Sequence, residues 1–420
     1  MSFDIATSGL AAASADLNVI GNNIANSSST GFKSSRAEFG DVFAANFLGA
    51  PSEATGDGVA VTSITQQFDQ GNIEFTSDPL DLAINGDGFF VLAGSDGTSY
   101  TRAGNFQVNE EGFVVSASGS QLQAFTADNG DITGNIGSIQ LNSALIEPNP
   151  TTSVETNVNL NSSEDSPLAP FAAPFDAFAT PPTSPSSNSF NSSSSVTVFD
   201  SLGNSHTLET FYVKTPVENE WEAYTLIDGV STSGPETLTF QSNGQFDDAI
   251  LPVQLDITGW QPLDDNGAPN GAGVQSITVD LTGSTQFGSP FGVNSLSQDG
   301  FAAGQLTGIN VDDSGVIFAQ FTNGQSNALG QVALAGFNSP TGLQPIGNTE
   351  WLETFGSGPP TINDPGTGGL GVIQSGALEE SNVELTEELV DMILAQRNFQ
   401  ASAQVITTAD EITQTIINIG

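Results

Sequence analysis

Apolar residues recur at alternating steps of three and four at both ends of this chain, and the long stretch between them follows a different rule. Near the N-terminus the series is Phe3, Ala6, Leu10, Ala13, Leu17, Ile20 and Ile24, a heptad seam that predicts a helix. The helix should stop near Asn26, where Ser27, Ser28, Ser29, Thr30 and Gly31 break the pattern. A second seam runs through Leu385, Leu389, Met392, Phe399, Ala403 and Ile406, is interrupted once by Gln396, and continues less regularly through Ile412, Ile416 and Ile417. Ser381 precedes Glu384 by three residues, the spacing of a capping box, and Glu387, Glu388 and Asp391 suit the positive end of a helix dipole. Burying one such seam does not offset the entropy of ordering a whole helix, so each terminal helix needs partners on several faces. The other terminus and copies from other chains are the economical ones, and before assembly the termini are expected to be disordered. An ordinary amphipathic helix docked on its own domain carries the same pattern; the placement of two at opposite chain ends favours an assembly device.

Between the seams the signal is of strands and turns. Gly104 to Val115, Thr237 to Phe246 and Leu306 to Phe321 each place Asn or Asp and then Gly between apolar or alternating runs, and read as β-hairpins. Ser195 to Val213 repeats the theme, with Leu202, Gly203, Asn204 and Ser205 at its turn. The 46 glycines and 21 prolines suit many short strands joined by tight turns better than a helical bundle. Ser162 to Ser195, dominated by Ser, Pro, Ala, Asn and Phe, reads as a long irregular loop, and Gly356 to Gly371 as a linker back toward the C-terminal helix. The expected fold is mainly β, with nested β-rich domains built from discontinuous segments and the two terminal helices forming a coiled-coil inner domain. Its parts are residues 1–26 with 381–420 (helices), 27–70 with 357–380 (linker), 71–145 with 291–356 (inner β domain) and 146–290 (outer β domain).

Charge narrows the partners. Forty-eight acidic residues face five cations, Lys33, Arg36, Arg102, Lys214 and Arg397, for a formal net charge of −43. Five scattered cations cannot neutralise a phosphate backbone, which excludes nucleic acid, and an anionic membrane surface is excluded for the same reason. Copies of such a chain repel one another unless salt or divalent ions screen them. The Debye length falls from about 8 Å at 0.15 M to about 3 Å at 1 M, so a saline setting is expected.

Chemistry is scarce. The chain has no cysteine, hence no disulfide framework and no thiolate site. The one histidine, His206, adjoins Ser205 on a strand; neighbouring strand residues point to opposite faces and cannot act as nucleophile and base. One His without Cys makes a zinc site improbable. Gly366-Thr367-Gly368-Gly369-Leu370-Gly371 matches the dinucleotide fingerprint, but Pro359, Pro360 and Pro365 precede it where a buried strand belongs. Asp264-Asp265-Asn266-Gly267 and Asp312-Asp313-Ser314-Gly315 lack EF-hand spacing and read as solvated turns, with weak divalent binding between copies as the alternative. No enzymatic activity, catalytic residue, cofactor site or metal site is expected. Leu10 to Ile24 is broken by Ser14, Asp16, Asn18, Asn22 and Asn23 and follows no basic region, so it is neither an ordinary secretory signal nor a membrane span.

Three stretches carry a resemblance. The first is Gly21-Asn22-Asn23-Ile24-Ala25-Asn26, continuing to Thr30-Gly31-Phe32-Lys33. The second is Ile84-Asn85-Gly86-Asp87-Gly88-Phe89-Phe90, followed by Tyr100-Thr101-Arg102-Ala103-Gly104-Asn105-Phe106. The third is Ser381-Asn382-Val383-Glu384-Leu385 through Met392-Ile393-Leu394-Ala395-Gln396-Arg397-Asn398-Phe399-Gln400. Together, in this order, they resemble the flagellar axial proteins, the rod and hook family. Residues 146 to 290 leave room for an extra outer β domain that the similar but shorter rod proteins lack, which favours a hook subunit, with a distal rod protein as the alternative.

The resemblance implies a homopolymer in an extracellular flagellar hook, attached to the basal body and passing torque through a bend as a universal joint. It implies export unfolded through the flagellar type III apparatus, addition beneath a hook cap, and contacts with rod and hook–filament junction proteins. The assembly residues expected on this basis are Leu10, Leu17, Ile20, Ile24, Leu389, Met392, Phe399 and Ile406. Phe32, Lys33, Arg36 and Phe39 are expected in the link to the β body. A secreted β-rich adhesin would share the acidity and lack of Cys but needs no terminal heptads; a hydrolase is disfavoured by the shortage of His and of any nucleophile motif.

Overall fold

The computed structural model describes residues 2–42, 56–95, 97–128, 130–141, 146–247, 249 and 251–419; the Ile416 side chain lies outside what is described. The chain divides into two compact units, one of residues 1–143, 308–320 and 326–420 and one of 144–307 and 321–325. Among the described residues no helix is long and apolar enough to cross a membrane.

In the first unit, helix α1 (Ser2–Ala25) and helix α2 (Leu385–Ile419) pack against each other. α1 ends where the Ser and Thr run begins, as its composition requires. The hairpin of strands Ser35–Val42 and Gly58–Gln66 packs on α1, with Val59 N–H donating to Ser8 Oγ at 3.3 Å. Two further two-stranded pairs tie the chain ends together: Ile73–Phe75 with Ala377–Glu379, and Leu82–Asn85 with Val372–Ser375. Among the described residues the β body is a thirteen-stranded sheet. Along strand Phe89–Gly94 the two-residue alternation sends Phe90 and Leu92 into a core with Leu82, Ile84, Phe106, Val114 and Leu122. Phe89 and Val91 go into another with Tyr100, Ala335 and Trp351. Both faces of this strand are therefore buried.

The second unit is a two-sheet sandwich. One sheet is antiparallel, in the order Ser192–Phe199, Ser205–Lys214, Glu220–Ile227, Val230–Thr239. The other has five strands built around Ser153–Asn161. Val158, Leu208, Tyr212, Trp221, Leu255, Ile277 and Val279 share the core between them. The loop Asp228-Gly229 closes its hairpin with both residues at positive φ, 49° and 77°, as the two-residue type I′ turn demands.

Three of the four hairpins expected from turn chemistry form as strand pairs, and the fourth, Thr237 to Phe246, is closed by the single bridge Phe240 with Phe246. Their turns are Asn109–Gly112, Asp200–Asn204, Gln241–Gly244 and Asp312–Gly315. Other expectations are corrected. The Ser381 hydroxyl accepts from Val383 N–H at 3.4 Å, and α2 begins only at Leu385; no capping box forms, because Asn382 is held by the linker instead. Residues 356–371 are not a free linker, since Thr361–Asn363 pairs with Leu334–Gly336. Residues 162–191 contain no helix or strand, but Phe171, Phe175 and Phe190 pack onto Phe211, Val213, Tyr224 and Leu226, so the loop covers the outer face of the four-stranded sheet. Residues 292–298, read from sequence as part of the inner domain, pair with Ser153–Asn161 and belong to the second unit.

Candidate assembly site: the terminal helices and their clasp

The face of α2 turned to α1 is an unbroken heptad seam of buried and half-buried residues: Glu388, Met392, Ala395, Phe399, Ser402, Ile406 and Ala409. Its small members allow close approach. Ala395 is 1% exposed, and a methyl group placed on Gly9 would come within 3.0 Å of Ser402 Oγ. From α1, Ile20 is buried and Leu10, Leu17 and Ile24 are half-buried. Of the residues singled out on α2, Met392, Phe399 and Ile406 lie on this seam. Leu389 does not: it is 49% exposed, and Leu385 is 47% exposed. Glu388, Ala395 and Ser402 lie on the seam without being large apolar residues, which is why apolar periodicity does not mark them; Gly9, which closely approaches Ser402, is the one local signal.

At the base of the helix pair, Asn23 Nδ2–H donates to Glu388 Oε1 at 2.8 Å and to the Ser35 carbonyl at 2.8 Å, while its Oδ1 accepts from Ser35 N–H at 2.9 Å. Asn23 thus joins both helices to the hairpin. Asp16, Glu387, Glu388 and Asp391 crowd this junction. Burial, and then the Asp391 charge, push the Asp16 carboxyl above its usual range. Burial raises Glu388 as well, opposed by the Asn23 amide and assisted by Asp391, Glu387 and Asp16.

The linker is fixed by an ion triad. Lys33 Nζ donates to Glu379 Oε1 at 2.5 Å and to the Asp69 carbonyl at 2.8 Å. Arg102 Nη1 donates to Glu379 Oε2 at 3.1 Å, and Nη2 donates to the Gly86 carbonyl at 2.9 Å. Gly71 N–H completes the Glu379 carboxylate at 2.9 Å. All three side chains are buried, and burial pulls the Lys33 pKa down against the opposing pull of Glu379. Gly31, at φ +67°, is pressed against Ala103: a Cβ there would lie 2.4 Å from Ala103 N, so only glycine fits. Asn382 closes the clasp, accepting from Ser34 N–H at 2.8 Å and donating to the Gln67 carbonyl at 2.9 Å. Of the other linker residues, Phe32 is half-buried, while Arg36 and Phe39 are exposed. Nothing local in the sequence marked Glu379 or Arg102 as partners of Lys33.

Elsewhere the histidine, the glycine-rich turn and the acidic turns have the following surroundings. In the second unit Ser205 is exposed and His206 buried, on opposite strand faces. His206 Nδ1 lies 2.6 Å from Asp228 Oδ2 and Nε2 lies 3.3 Å from Asp200 Oδ2, with Trp260 edge-on at 5.0 Å. Asn270 Nδ2–H also donates to Asp200, at 2.7 Å. The glycines Gly366, Gly368 and Gly369 take positive φ in a turn that is followed by strand Val372–Ser375, not by a helix whose N-terminus could hold a phosphate. The Asp264 and Asp312 carboxylates each accept N–H groups of their own turns.

Four family models match successive parts of the chain. They are the flagella basal body rod protein (residues 3–33), the flagellar hook protein FlgE/F/G D1 domain (83–160), the flagellar basal body protein FlaE D2 domain (159–301) and the flagellar basal body rod FlgEFG protein C-terminal (374–419). The flagellar hook protein FlgE of Escherichia coli K12 is 37% identical over 430 residues, covering the whole of both chains. That of Salmonella typhimurium is 36% identical over 432 residues with the same coverage, and that of Treponema pallidum is 31% identical over 96% of each chain. The crystal structure of Helicobacter pylori flagellar hook protein FlgE2 covers 73% of this chain and all of its own, with a TM-score of 0.52 and 15% identity, a likeness of fold. The chain belongs to the flagellar hook protein family.

Proposed function

We propose that this chain is the structural subunit of a bacterial flagellar hook, polymerising into a curved, flexible tube that transmits torque from rod to filament as a universal joint. The observation that carries the reading is α2. One face of it is seated on α1, while Leu385, Leu389, Val390, Ile393 and Leu394 on its other sides are each 47 to 56% exposed. An apolar helix surface of that extent calls for other copies of the chain. The triad of Lys33, Glu379 and Arg102 anchors the linker to the β body, so load on the helices reaches the body through buried bonds. The assembly residues are Leu10, Leu17, Ile20, Ile24, Leu389, Met392, Phe399 and Ile406, of which Leu389 acts between copies. Full-length similarity to hook proteins, second unit included, favours the hook over the distal rod.

The partners are further copies of the chain, the rod, the hook cap, the hook–filament junction proteins and the flagellar type III export apparatus. The site of action is extracellular, and the role is structural, with no substrate. The test is electron microscopy of purified protein in high salt, comparing the whole chain with one lacking residues 1–30 and 381–420. Curved tubes from the whole chain alone are expected. Straight rods would indicate the distal rod protein, and discrete particles from both would overturn the assembly reading.

A further inference from the structure

Five cations are distributed unevenly through this structure. Lys33 and Arg102 are buried against Glu379. Lys214 Nζ donates to the Ser162 and Glu164 carbonyls and lies over the Trp221 ring. Arg36 and Arg397 remain exposed. Arg397 is the sole cation on either terminal helix; the other charged residues there are Asp4, Asp16, Glu387, Glu388, Asp391, Asp410 and Glu411. Its guanidinium makes no hydrogen bond or ion pair among the described residues.

At 3.6 residues per turn, Arg397 falls on the side of α2 opposite the seam that meets α1. Val390, Ile393 and Leu394 lie beside it within two turns on that side, each between 48 and 56% exposed. The result is a short apolar strip with one positive charge at its C-terminal end, on a chain of net charge −43; beyond it the same side carries Gln404, Thr408 and Glu411.

We infer that this strip docks on the helix pair of a second copy, with Arg397 seated against the junction carboxylates Asp16, Glu388 and Asp391 of that copy, fixing the register between neighbouring subunits. This rests on the polymer reading above and adds the partner surface and the residue that sets it. Charge complementarity selects the occupant. Among charged side chains, an approaching helix pair from another copy meets only carboxylates on α1 and α2, apart from Arg397, so every side-chain ion pair between helices of different copies must use that residue. Among the carboxylates, Asp16 and Glu388 are partly buried and crowded by Asp391, the arrangement that gains most from an added cation. A guanidinium can bridge two carboxylates through its fork of donors, which an ammonium does less well.

The pairing cannot be satisfied within one chain. Asp391 and Arg397 are six residues apart, about 9 Å along the axis, and on different sides of the helix. Strip and junction are also different surfaces of the same molecule. A contact between them is heterologous and leaves both surfaces free at the ends, so it propagates into a filament or tube and does not stop at a dimer.

The test compares the whole chain with Arg397→Glu, Arg397→Gln, Asp391→Arg and the double variant Arg397→Glu/Asp391→Arg, each followed by circular dichroism and by electron microscopy in high salt. Arg397→Glu should keep the helical signal and melting behaviour of the parent, because no bond within the chain is lost, yet form no tubes. Arg397→Gln should raise the critical concentration about tenfold. The double variant, with the charges exchanged, should regain tubes. Tubes from Arg397→Glu at the parent's critical concentration would overturn the inference, as would failure of the double variant to restore what both single variants lose. If the parent chain itself forms no tubes, the polymer reading fails with it, whereas normal parent tubes with an indifferent Arg397→Glu remove this inference alone.

Discussion

Lys33 and Glu379 stand 346 residues apart in the chain and meet at 2.5 Å with neither side chain exposed. Each comes from a segment adjoining a terminal helix: Lys33 lies eight residues after α1 ends, and Glu379 six before α2 begins. The pair therefore joins the two ends of the chain beneath the helices, and Arg102 anchors both to the β body. A buried charge pair adds little stability by existing, because desolvation offsets the attraction; its consequence appears when one partner is removed.

Glu379→Gln is accordingly expected to be severe. It leaves Lys33 and Arg102 facing each other in a dry site without a counter-charge, at a cost of about 3–5 kcal/mol. Lys33→Met should be milder, since Glu379 keeps Arg102 and the Gly71 amide. Urea unfolding of the two variants checks the order, and equal losses would mean that the Lys33 bond, not the carboxylate hub, holds the linker.

What the sequence disclosed and what it hid divide along the range of the interaction. The α1 stop at Ala25 and the turns at Asn109–Gly112 and Asp312–Gly315 follow from local periodicity and turn chemistry, so they were legible. The phase of α2 was legible at Met392, Phe399 and Ile406 but not in its first two turns. Large side chains drew the seam through Leu385 and Leu389, whereas Gly9 of the partner helix closely approaches Ser402 and the small Ala395 is 1% exposed. Glu379 was invisible because a pairing across most of the chain leaves no mark on neighbouring residues. The Phe171, Phe175 and Phe190 cover was hidden for another reason: its composition is that of a loop, and only the sheet beneath gives its aromatics a place.

His206 supplies a pH dependence that can be followed without labels, since the chain has one histidine. The hydrogen bond to Asp228 is the main cause that lifts its pKa above 6.5, with burial opposing and Asp200 assisting. A raised imidazole stabilises the fold fully below its unfolded value and loses that contribution as pH climbs through the folded value. Burial raises Asp200, but Asn204, Asn270 and His206 outweigh it and bring it down to about 2 from 3.8. Its contribution is present above 3.8 and disappears as pH falls through about 2. The clasp at this end of the second unit should therefore be strongest between about pH 4 and about pH 6.5. Proton NMR of the imidazole should give a midpoint above 6.5 that falls in Asp228→Asn; a midpoint at or below 6.5 in the parent would contradict the assignment.

Salt should control the polymer. With a net charge of −43 per subunit, neighbouring copies repel over about 8 Å at 0.15 M salt but over about 3 Å at 1 M. Tubes formed in strong salt are expected to shorten or dissolve on dialysis into dilute buffer, a change that sedimentation would register. Tubes indifferent to that dilution would show that the contacts between subunits already neutralise their own charge.

The two faces of α2 can be separated by paired substitutions. Phe399 is half-buried on the seam that meets α1, so Phe399→Ala removes contacts within the chain and should lower its stability by roughly 1–2 kcal/mol, less than a fully buried ring would cost. Leu389 is 49% exposed, and Leu389→Ala should change monomer stability by less than about 0.5 kcal/mol. In the polymer the order should reverse for assembly defects measured against stability lost. Leu389 becomes buried only when another copy covers it, so its removal acts on the critical concentration alone, whereas Phe399→Ala should shift the melting temperature and the critical concentration together. Far-UV circular dichroism melts beside sedimentation assays would separate the two. If Leu389→Ala assembled as well as the parent, the exposed side of α2 would not be a subunit contact at that height, and the coverage of the helix by other copies would have to begin further along it, nearer Arg397.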